Sequence, residues 1–201
     1  MNRAVFIDRD GTISEEVGYI NHASRFRLFP YSAAALKQLH ENGYLAIVIT
    51  NQAGVARGYF SEDMVQNIHR RMTDELTASG ATLDAIYYCA HHPLVGDLPY
   101  RLDCDCRKPK PGLLLRAARE FDIDMGQSWM VGDRYSDIEL AANAGVQSAL
   151  VLSGYGRGEW EHQRDNWTIK PDLVAEDLLE AVRLIGSLDA VLSTSRKTFD
   201  R

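Results

Sequence analysis

Short apolar runs alternate with longer amphipathic segments along the chain. The apolar runs contain β-branched residues and are bounded by turn residues; they begin at Val5 and recur at positions 44–50, 85–89, 129–131, 148–152 and 170–174. Apolar residues recur with helical spacing at positions 31–42, 61–79, 111–121, 138–144 and 177–185. Strands that alternate with helices in this way predict an α/β fold, a doubly wound, Rossmann-like parallel sheet with helices on both faces.

The same pattern predicts the domain organisation. We expect one domain over residues 1–185. An irregular segment at 15–30 is too long for a simple turn, and no segment is long enough for a separate cap domain, so this segment is predicted to be a small flap. Residues 186–201 are polar and lack clear periodicity, which predicts a C-terminal tail without fixed structure.

Two aspartates follow the first predicted strand. In the segment VFIDRDGTIS at 5–14, Asp8 and Asp10 flank Arg9. Carboxylates this close repel each other unless a cation lies between them, and Mg²⁺ binds one or two carboxylates together with waters and phosphate oxygens. The segment therefore predicts a magnesium site, with an aspartate-rich turn that binds no metal as the alternative.

Polar groups also follow other predicted strands. The second strand ends in the sequence TNQAG at 50–54, whose hydroxyl, amide and glycine residues suit a bound phosphoryl group, although an ordinary loop fits the same sequence. The fourth strand runs into Gly132 and Asp133. Because the carboxyl ends of parallel strands meet at one edge of a sheet, we expect these groups to lie beside Asp8.

All three cysteines lie in one segment, at 89–106. Two close pairs of thiolate and imidazole ligands separated by a loop are typical of a closed tetrahedral Zn²⁺ site. The predicted ligands are Cys89, His91, Cys104 and Cys106. His92 is an alternative to His91, and buried cysteines without a metal are the alternative to the whole site. Disulfides are disfavoured because three cysteines cannot all pair and the expected compartment is reducing.

A basic turn follows the last cysteine directly. Arg107, Lys108 and Lys110 stand together before the helix at 111–121. On an acidic protein, three cations in four residues predict a local site for an anion, held in place by the neighbouring metal. A solvated basic turn is the alternative.

Composition narrows the classes of partner. The chain has 201 residues, a formal net charge of −6 and a pI near 5.5, which disfavours binding to nucleic acid or anionic membranes. No early segment resembles a signal peptide, and no apolar run approaches the roughly 20 residues that span a bilayer. We therefore expect a cytoplasmic protein, and we expect a monomer.

Four motifs together resemble a known superfamily. The segments DRDGT, ITNQAG, RKPKPG and GDRYSD, spread over positions 8–137, are similar to the four signatures of the haloacid dehalogenase (HAD) phosphotransferases. The segment CAHH…CDC before RKPKPG resembles the zinc loop of the branch that acts on heptose bisphosphate and histidinol phosphate. The twelve-residue gap, together with YYCAHHP and NQAGVARG, is more similar to the heptose-bisphosphate phosphatases.

The resemblance implies a role for each acidic or basic residue. Asp8 would be the nucleophile, and Asp10 would protonate the leaving sugar oxygen and then activate water. Thr50 and Lys108 would hold the phosphoryl oxygens. Asp8, Asp10 through its carbonyl, and Asp133 would hold Mg²⁺.

The resemblance also implies contacts to a small phosphorylated sugar. The corresponding substrate-binding positions are Glu16, Val17, Gly18, Tyr19, Thr50, Asn51, Gln52, Ala53, Arg107, Lys108 and Arg134. The implied reaction is removal of the 7-phosphate of D-glycero-D-manno-heptose 1,7-bisphosphate on the way to activated heptose for surface glycan. Glu16 and Val17 are not diagnostic, so the sugar and its anomer stay open. Histidinol phosphate or another small sugar phosphate is one alternative, and a zinc-stabilised binding module without catalysis is another.

Overall fold

Six parallel strands form the centre of the protein. A computed structural model describes residues 1–199, with side chains described for residues 1–191. The strands are β1 (Arg3–Ile7), β2 (Tyr44–Asn51), β3 (Ala85–Cys89), β4 (Trp129–Gly132), β5 (Gln147–Val151) and β6 (Leu173–Ala175). They form one sheet in the order β3-β2-β1-β4-β5-β6, and every neighbouring pair is parallel. The predicted doubly wound α/β sheet is confirmed.

Within residues 1–199, six α-helices connect and cover the strands. They are α1 (Ser32–Glu41), α2 (Glu62–Ala78), α3 (Gly112–Glu120), α4 (Tyr135–Ala144), α5 (Gly156–Gln163) and α6 (Leu178–Phe199). The start of α2 follows from its sequence, because the Ser61 hydroxyl accepts a hydrogen bond from the Met64 amide at 3.3 Å and acidic residues occupy the first turn. Among the described residues, no helix combines the length and apolar character needed to cross a bilayer.

The two faces of the sheet carry separate apolar cores. Val5 and Ile7 of β1 face a core with residues of α1, α2 and α6, whereas Ala4 and Phe6 face a core with residues of α3 and α4. Alternate β1 residues thus bury opposite faces, which explains why the strands read as continuous apolar runs. Each fully buried large aliphatic or aromatic side chain contributes about 1.5–3 kcal/mol.

The strand order places the functional edge. β1 lies between β2 and β4: the chain adds β2 and β3 on one side of β1 and then β4, β5 and β6 on the other, so the strand order reverses at this point. Crevices outside the carboxyl ends of strands at such a switch point are the usual ligand sites of doubly wound folds. The ends of these three strands carry Asp8, Thr50, Asn51 and Asp133.

The prediction of a C-terminal tail without fixed structure is wrong for residues 186–199. Helix α6 continues to Phe199, and only residues 200–201 of the predicted tail lie outside the described part of the chain. Gly186 does not end the helix; a Cβ there would lie 2.7 Å from Asn42 Nδ2, so this glycine permits α6 to approach the end of α1. Asp189 accepts hydrogen bonds from Arg3 Nη1 and the Tyr44 hydroxyl, both at 2.8 Å.

One helix is missing from the prediction, and two further boundaries differ from it by three residues. Helix α5 is absent from the predicted elements, since its sequence contains two glycines in its first turn and has no clear apolar stripe. Helix α4 begins at Tyr135 rather than at position 138. The last strand starts at Leu173 rather than at position 170, because Pro171 lacks a backbone donor.

We predict that Asp189→Ala lowers the free energy of unfolding by about 1–2 kcal/mol, because it removes one ion pair to the half-buried Arg3 and one hydrogen bond to the buried Tyr44. Chemical denaturation measures the change. The control is Asp165→Ala, at a side chain that is 98% exposed, for which we expect less than about 0.5 kcal/mol. Equal effects of the two substitutions would contradict the role of Asp189.

Candidate active site

Three carboxylates and one ammonium lie together at the carboxyl edge of the sheet. Asp8 follows β1, Asp133 follows β4, Asp137 lies in the first turn of α4, and Lys108 lies in the basic turn before α3. Lys108 Nζ is 2.7 Å from Asp8 Oδ1 and 2.7 Å from Asp137 Oδ1. All four residues are buried. The structure thus brings together Asp8, Lys108 and Asp133, as the sequence predicts.

Burial dominates the electrostatics of this cluster. Burial raises the pKa of Asp8 to about 7 against the opposing effect of Lys108, and burial followed by the charges of Asp8 and Asp137 raises the pKa of Asp133 well above its usual range. For Lys108, burial favours the neutral amine, but Asp137 and Asp8 outweigh it and raise the pKa. Three carboxylates thus face one ammonium, and a divalent cation would balance the remaining charge.

The donor set fits Mg²⁺. Oxygens of Asp8, Asp133 and Asp137 lie within 4.8 Å of one another. Asp133 Oδ2 accepts a hydrogen bond from the Tyr155 amide at 2.8 Å, whereas the buried Asp133 Oδ1 has no hydrogen-bond partner in the described part of the chain. Gly11, at φ +87°, leaves room for this carboxylate, because a Cβ there would lie 2.2 Å from Asp133 Oδ2. Asp133 Oδ1 is therefore free to bind a hard cation.

Asp137 is a member of the cluster that the sequence analysis does not predict. It follows Asp133 by four positions, and its other oxygen, Oδ2, accepts a hydrogen bond from the Arg134 amide at 3.2 Å. The signal is present in the motif GDRYSD, but Asp137 reaches the site only because α4 starts at Tyr135, earlier than its apolar pattern indicates.

The carboxylate of Asp10 lies apart from this cluster. Its Oδ1 accepts from Arg9 Nε at 3.1 Å, and its Oδ2 accepts from Arg9 Nη2 at 2.6 Å and from Gln52 Nε2 at 2.9 Å. Asp10 therefore adds no side-chain oxygen to the metal cluster, and the predicted metal contact of this residue is limited to its carbonyl.

The end of β2 supports the basic turn as well as the cleft. Asn51 Oδ1 accepts from the Lys108 amide at 3.1 Å, and Asn51 Nδ2 donates to the Lys108 carbonyl at 3.3 Å. The buried Thr50 hydroxyl accepts from Gln52 Nε2 at 3.0 Å. The two bonds from Asn51 fix the backbone of Lys108 relative to the end of β2.

A cleft of about 600 Å³ lies above the cluster. Ten of the eleven predicted substrate-binding residues line it, namely Glu16, Gly18, Tyr19, Thr50, Asn51, Gln52, Ala53, Arg107, Lys108 and Arg134. Val17 instead lines a neighbouring groove, and its carbonyl accepts from Arg25 Nη2 at 3.1 Å. Asp8 and Asp10 line the floor of the cleft.

One wall of the cleft contains residues that the sequence analysis does not predict. Arg134 Nε lies 3.2 Å from Glu159 Oε1, and its guanidinium carbon lies 4.4 Å from the centre of the Tyr155 ring. Glu159 belongs to α5 and also accepts from the Tyr135 amide at 2.6 Å. The sequence analysis does not predict these contacts because it does not predict α5.

The flap is attached to the segment that follows β2 through aromatic contacts. The Tyr19 ring lies 4.7 Å from the ring of Tyr59 and 6.4 Å from that of Phe60. Arg25 donates to the Tyr19 carbonyl at 3.1 Å, which fixes the flap backbone. The segment covers part of the cleft without forming a cap domain, as predicted.

The four predicted zinc ligands lie together. The sulfur atoms of Cys89, Cys104 and Cys106 are 3.0–3.5 Å apart, and His91 Nδ1 lies 3.4 Å from Cys106 Sγ. His92 does not join them, because its Nδ1 accepts from the amides at 94 and 95. The hydrogen bond that the Cys106 thiol donates to Cys89, together with burial, raises the pKa of this thiol, so a cation is needed to hold the thiolate form.

The cysteine cluster is joined to the substrate cleft. Arg107 Nη1 donates to the His91 carbonyl at 3.4 Å, and Arg57 Nη2 lies 3.2 Å from His92 Nε2. The loop at 89–106 therefore contacts both the basic turn and the loop that follows β2.

Comparison with known proteins identifies the family. A HAD-hydrolase-like family model matches residues 105–181. The D-glycero-beta-D-manno-heptose-1,7-bisphosphate 7-phosphatase of Haemophilus ducreyi is 40% identical over 92% of this chain and 98% of its own length. The D-glycero-alpha-D-manno-heptose-1,7-bisphosphate 7-phosphatase of Burkholderia mallei is 42% identical over 75% of this chain and 80% of its own length.

A solved structure extends the likeness to the fold. The D,D-heptose 1,7-bisphosphate phosphatase from B. bronchiseptica, complexed with magnesium and phosphate, superimposes with a TM-score of 0.80 and 30% identity, covering 91% of this chain and 97% of that one. The expected resemblance is confirmed. The chain belongs to the D-glycero-D-manno-heptose-1,7-bisphosphate 7-phosphatase family of the HAD superfamily.

Proposed function

We propose that this protein hydrolyses the 7-phosphate of D-glycero-D-manno-heptose 1,7-bisphosphate, in the synthesis of activated heptose for surface glycan. The observation that carries the proposal is Lys108 Nζ, held 2.7 Å from Asp8 and from Asp137 beside Asp133 Oδ1, which has no hydrogen-bond partner among the described residues. This arrangement offers a nucleophile, a fixed cation and a metal site within one buried cluster.

The first step transfers the phosphoryl group to Asp8. A carboxylate oxygen of Asp8 attacks phosphorus while the bond from phosphorus to the sugar oxygen breaks. Asp10, in its protonated form, gives its proton to that sugar oxygen, so the sugar leaves as an alcohol. Lys108 and the Thr50 hydroxyl stabilise the charge on the phosphoryl oxygens.

The second step regenerates the enzyme. A water molecule attacks phosphorus of the aspartyl phosphate, and Asp10 takes a proton from this water. The bond from phosphorus to Asp8 breaks, inorganic phosphate leaves, and Asp10 is again protonated. Asp10 therefore releases and recovers one proton in each cycle.

We propose Mg²⁺ as the cofactor, held by Asp8, Asp133 and the Asp10 carbonyl, with Asp137 close by. When bound, the cation would neutralise negative charge between the phosphoryl group and Asp8. Asp133 is suited to this role because one of its oxygens is fixed by the Tyr155 amide and the other is unpaired among the described residues.

The upper part of the cleft would bind the phosphate that is not hydrolysed. Arg107 and Arg134 both line it, and a guanidinium group can hold a phosphate through two parallel hydrogen bonds. Two cations at the rim favour a bisphosphate over a monophosphate. Relatives named for the alpha and for the beta anomer are similar to this chain at 42% and 40% identity, so the anomer is decided by experiment.

Phosphate release from a substrate panel tests this function. The panel contains both anomers of the heptose bisphosphate, histidinol phosphate and p-nitrophenyl phosphate, each with Mg²⁺. We expect kcat/KM for one heptose anomer to exceed that for histidinol phosphate by about tenfold or more, because only the bisphosphate contacts both arginines. Equal values for all four substrates would contradict the proposal.

We further propose that Cys89, His91, Cys104 and Cys106 bind one structural Zn²⁺. The variant Cys104→Ser should lose zinc and should raise KM for the bisphosphate more than it changes kcat, because Arg107 is tied to His91. Elemental analysis and steady-state kinetics measure the two effects.

The matched control is Asp103→Ala, at an exposed neighbour outside the cysteine cluster, which should keep its zinc and its KM. The absence of zinc from the unmutated protein, or a normal KM in the zinc-free variant, would contradict this role of the cluster.

A further inference from the structure

A buried polar chain extends from Asp10 into the interior. Arg9 contacts both oxygens of Asp10 through Nε and Nη2, and its third nitrogen, Nη1, lies 3.2 Å from Nε2 of His69 on α2. The Arg9 side chain is 1% exposed, and His69 is 6% exposed. His69 and Arg9 take no part in the chemical steps described above.

His69 is suited to accept a hydrogen bond from Arg9. Burial, followed by the positive charge of Arg9, lowers the pKa of His69 to about 3, so its ring is neutral and has one nitrogen without a proton. An arginine has only donors, so the contact places the lone pair of Nε2 toward Arg9 Nη1. The ring is also packed, 5.5 Å from the ring of Tyr88.

The backbone of Arg9 is equally fixed. Its carbonyl accepts from the Ile13 amide at 3.1 Å and from the amide and hydroxyl of Ser14 at 3.0 and 3.1 Å. With the backbone held by the turn and one end of the guanidinium held by His69, the other side of the guanidinium presents two donors to Asp10. Its planar shape then determines the plane of the Asp10 carboxylate.

We propose that His69 is a positioning residue for the general acid and base of the reaction: through Arg9, it holds the Asp10 carboxylate in the orientation needed for proton transfer. The inference rests on the proposed function, in which Asp10 protonates the leaving sugar oxygen. His69 is about two helical turns along α2 from its start at Glu62 and does not line the cleft, so it would act on the substrate only through this chain.

The leaving group distinguishes positioning from a general loss of stability. A sugar alkoxide is a poor leaving group and needs the proton of Asp10, whereas p-nitrophenolate leaves readily without one. Because kcat/KM reports the first irreversible step, misplacement of Asp10 should lower kcat/KM for the sugar ester and leave kcat/KM for the aryl ester nearly unchanged. A distorted active site would lower both values together.

The test compares His69→Leu, which removes the acceptor, with His69→Gln, whose side-chain oxygen can accept. We expect His69→Leu to lower kcat/KM for the sugar ester about tenfold or more relative to that for p-nitrophenyl phosphate, mainly through kcat, and we expect His69→Gln to recover most of this loss. Arg9→Lys, which lacks the planar fork, should show the same selective loss and keeps the proposal testable if His69→Leu does not fold.

Met72→Ala is the matched control, because Met72 is buried on the same helix and packs in the apolar core. It should lower thermal stability without changing the ratio between the two substrates. If the ratio of the two kcat/KM values is unchanged in His69→Leu, the proposal is overturned; if that variant does not fold, the same holds for Arg9→Lys. A change in Met72→Ala as large as in these variants would also overturn it.

The proposed substrate and the proposed role of His69 can be contradicted independently of each other. If the unmutated protein prefers an alkyl phosphate other than the heptose bisphosphate, the proposed substrate is wrong, and the same ratio is measured with the preferred alkyl ester. A selective loss with that ester would still support the positioning role of His69.

Discussion

The ion pairs of Lys108 with Asp8 and Asp137 are the interaction on which the rest of the site depends. Removing an ammonium group and three carboxylates from water costs several kcal/mol for each ion, and the cost is offset only by close pairing and by bound cations. The two 2.7 Å contacts provide that pairing on one side. On the other side, Asp133 Oδ1 has no hydrogen-bond partner among the described residues and would bind the divalent cation proposed above. The excess negative charge that disfavours the cluster alone therefore favours binding of a cation, and the bound cation would in turn favour binding of a phosphate ester.

Several independent elements hold Lys108 at this position. Asn51 makes two hydrogen bonds to its backbone, and Asn143 donates to the carbonyl of Pro109 at 3.0 Å. The adjacent Arg107 is attached to the cysteine loop through His91. A long loop would not hold a lysine within about 0.5 Å of a required position without such support. In the proposed mechanism, the cysteine loop would contribute to catalysis by fixing a neighbouring turn rather than by contacting the reacting atoms.

The sequence predicts the sheet and much of the site because both follow from local patterns and one topological rule. Asp8 and Asp133 follow apolar strands, and parallel strands bring their ends together, so the pattern of strands is enough to place these two residues at one edge. The predicted zinc ligands are recognisable as a cluster because the sequence contains two close pairs of metal-binding residues. Asp137 is not predicted in this way because α4 begins before its apolar pattern. Glu159 is not predicted because the glycine-rich start of α5 does not indicate a helix.

Local sequence patterns do not predict contacts between residues that are far apart in the sequence. The contact from His69 to Arg9 joins positions 60 residues apart in the sequence, and no local pattern indicates it. The predicted tail is wrong because a glycine after an apolar stripe usually marks a helix end, whereas the missing side chain of Gly186 serves the packing of α6 on α1.

Trapping the covalent intermediate tests the central claim most directly. The variant Asp10→Asn should still accept a phosphoryl group from p-nitrophenyl phosphate, which needs no proton donor, but it should not activate water to remove that group. We therefore expect a burst of about one p-nitrophenolate per chain, and acid quenching followed by peptide mass analysis should place one phosphoryl group on Asp8. A burst with the phosphoryl group on another residue, or full turnover with no phosphorylated peptide, would contradict the account.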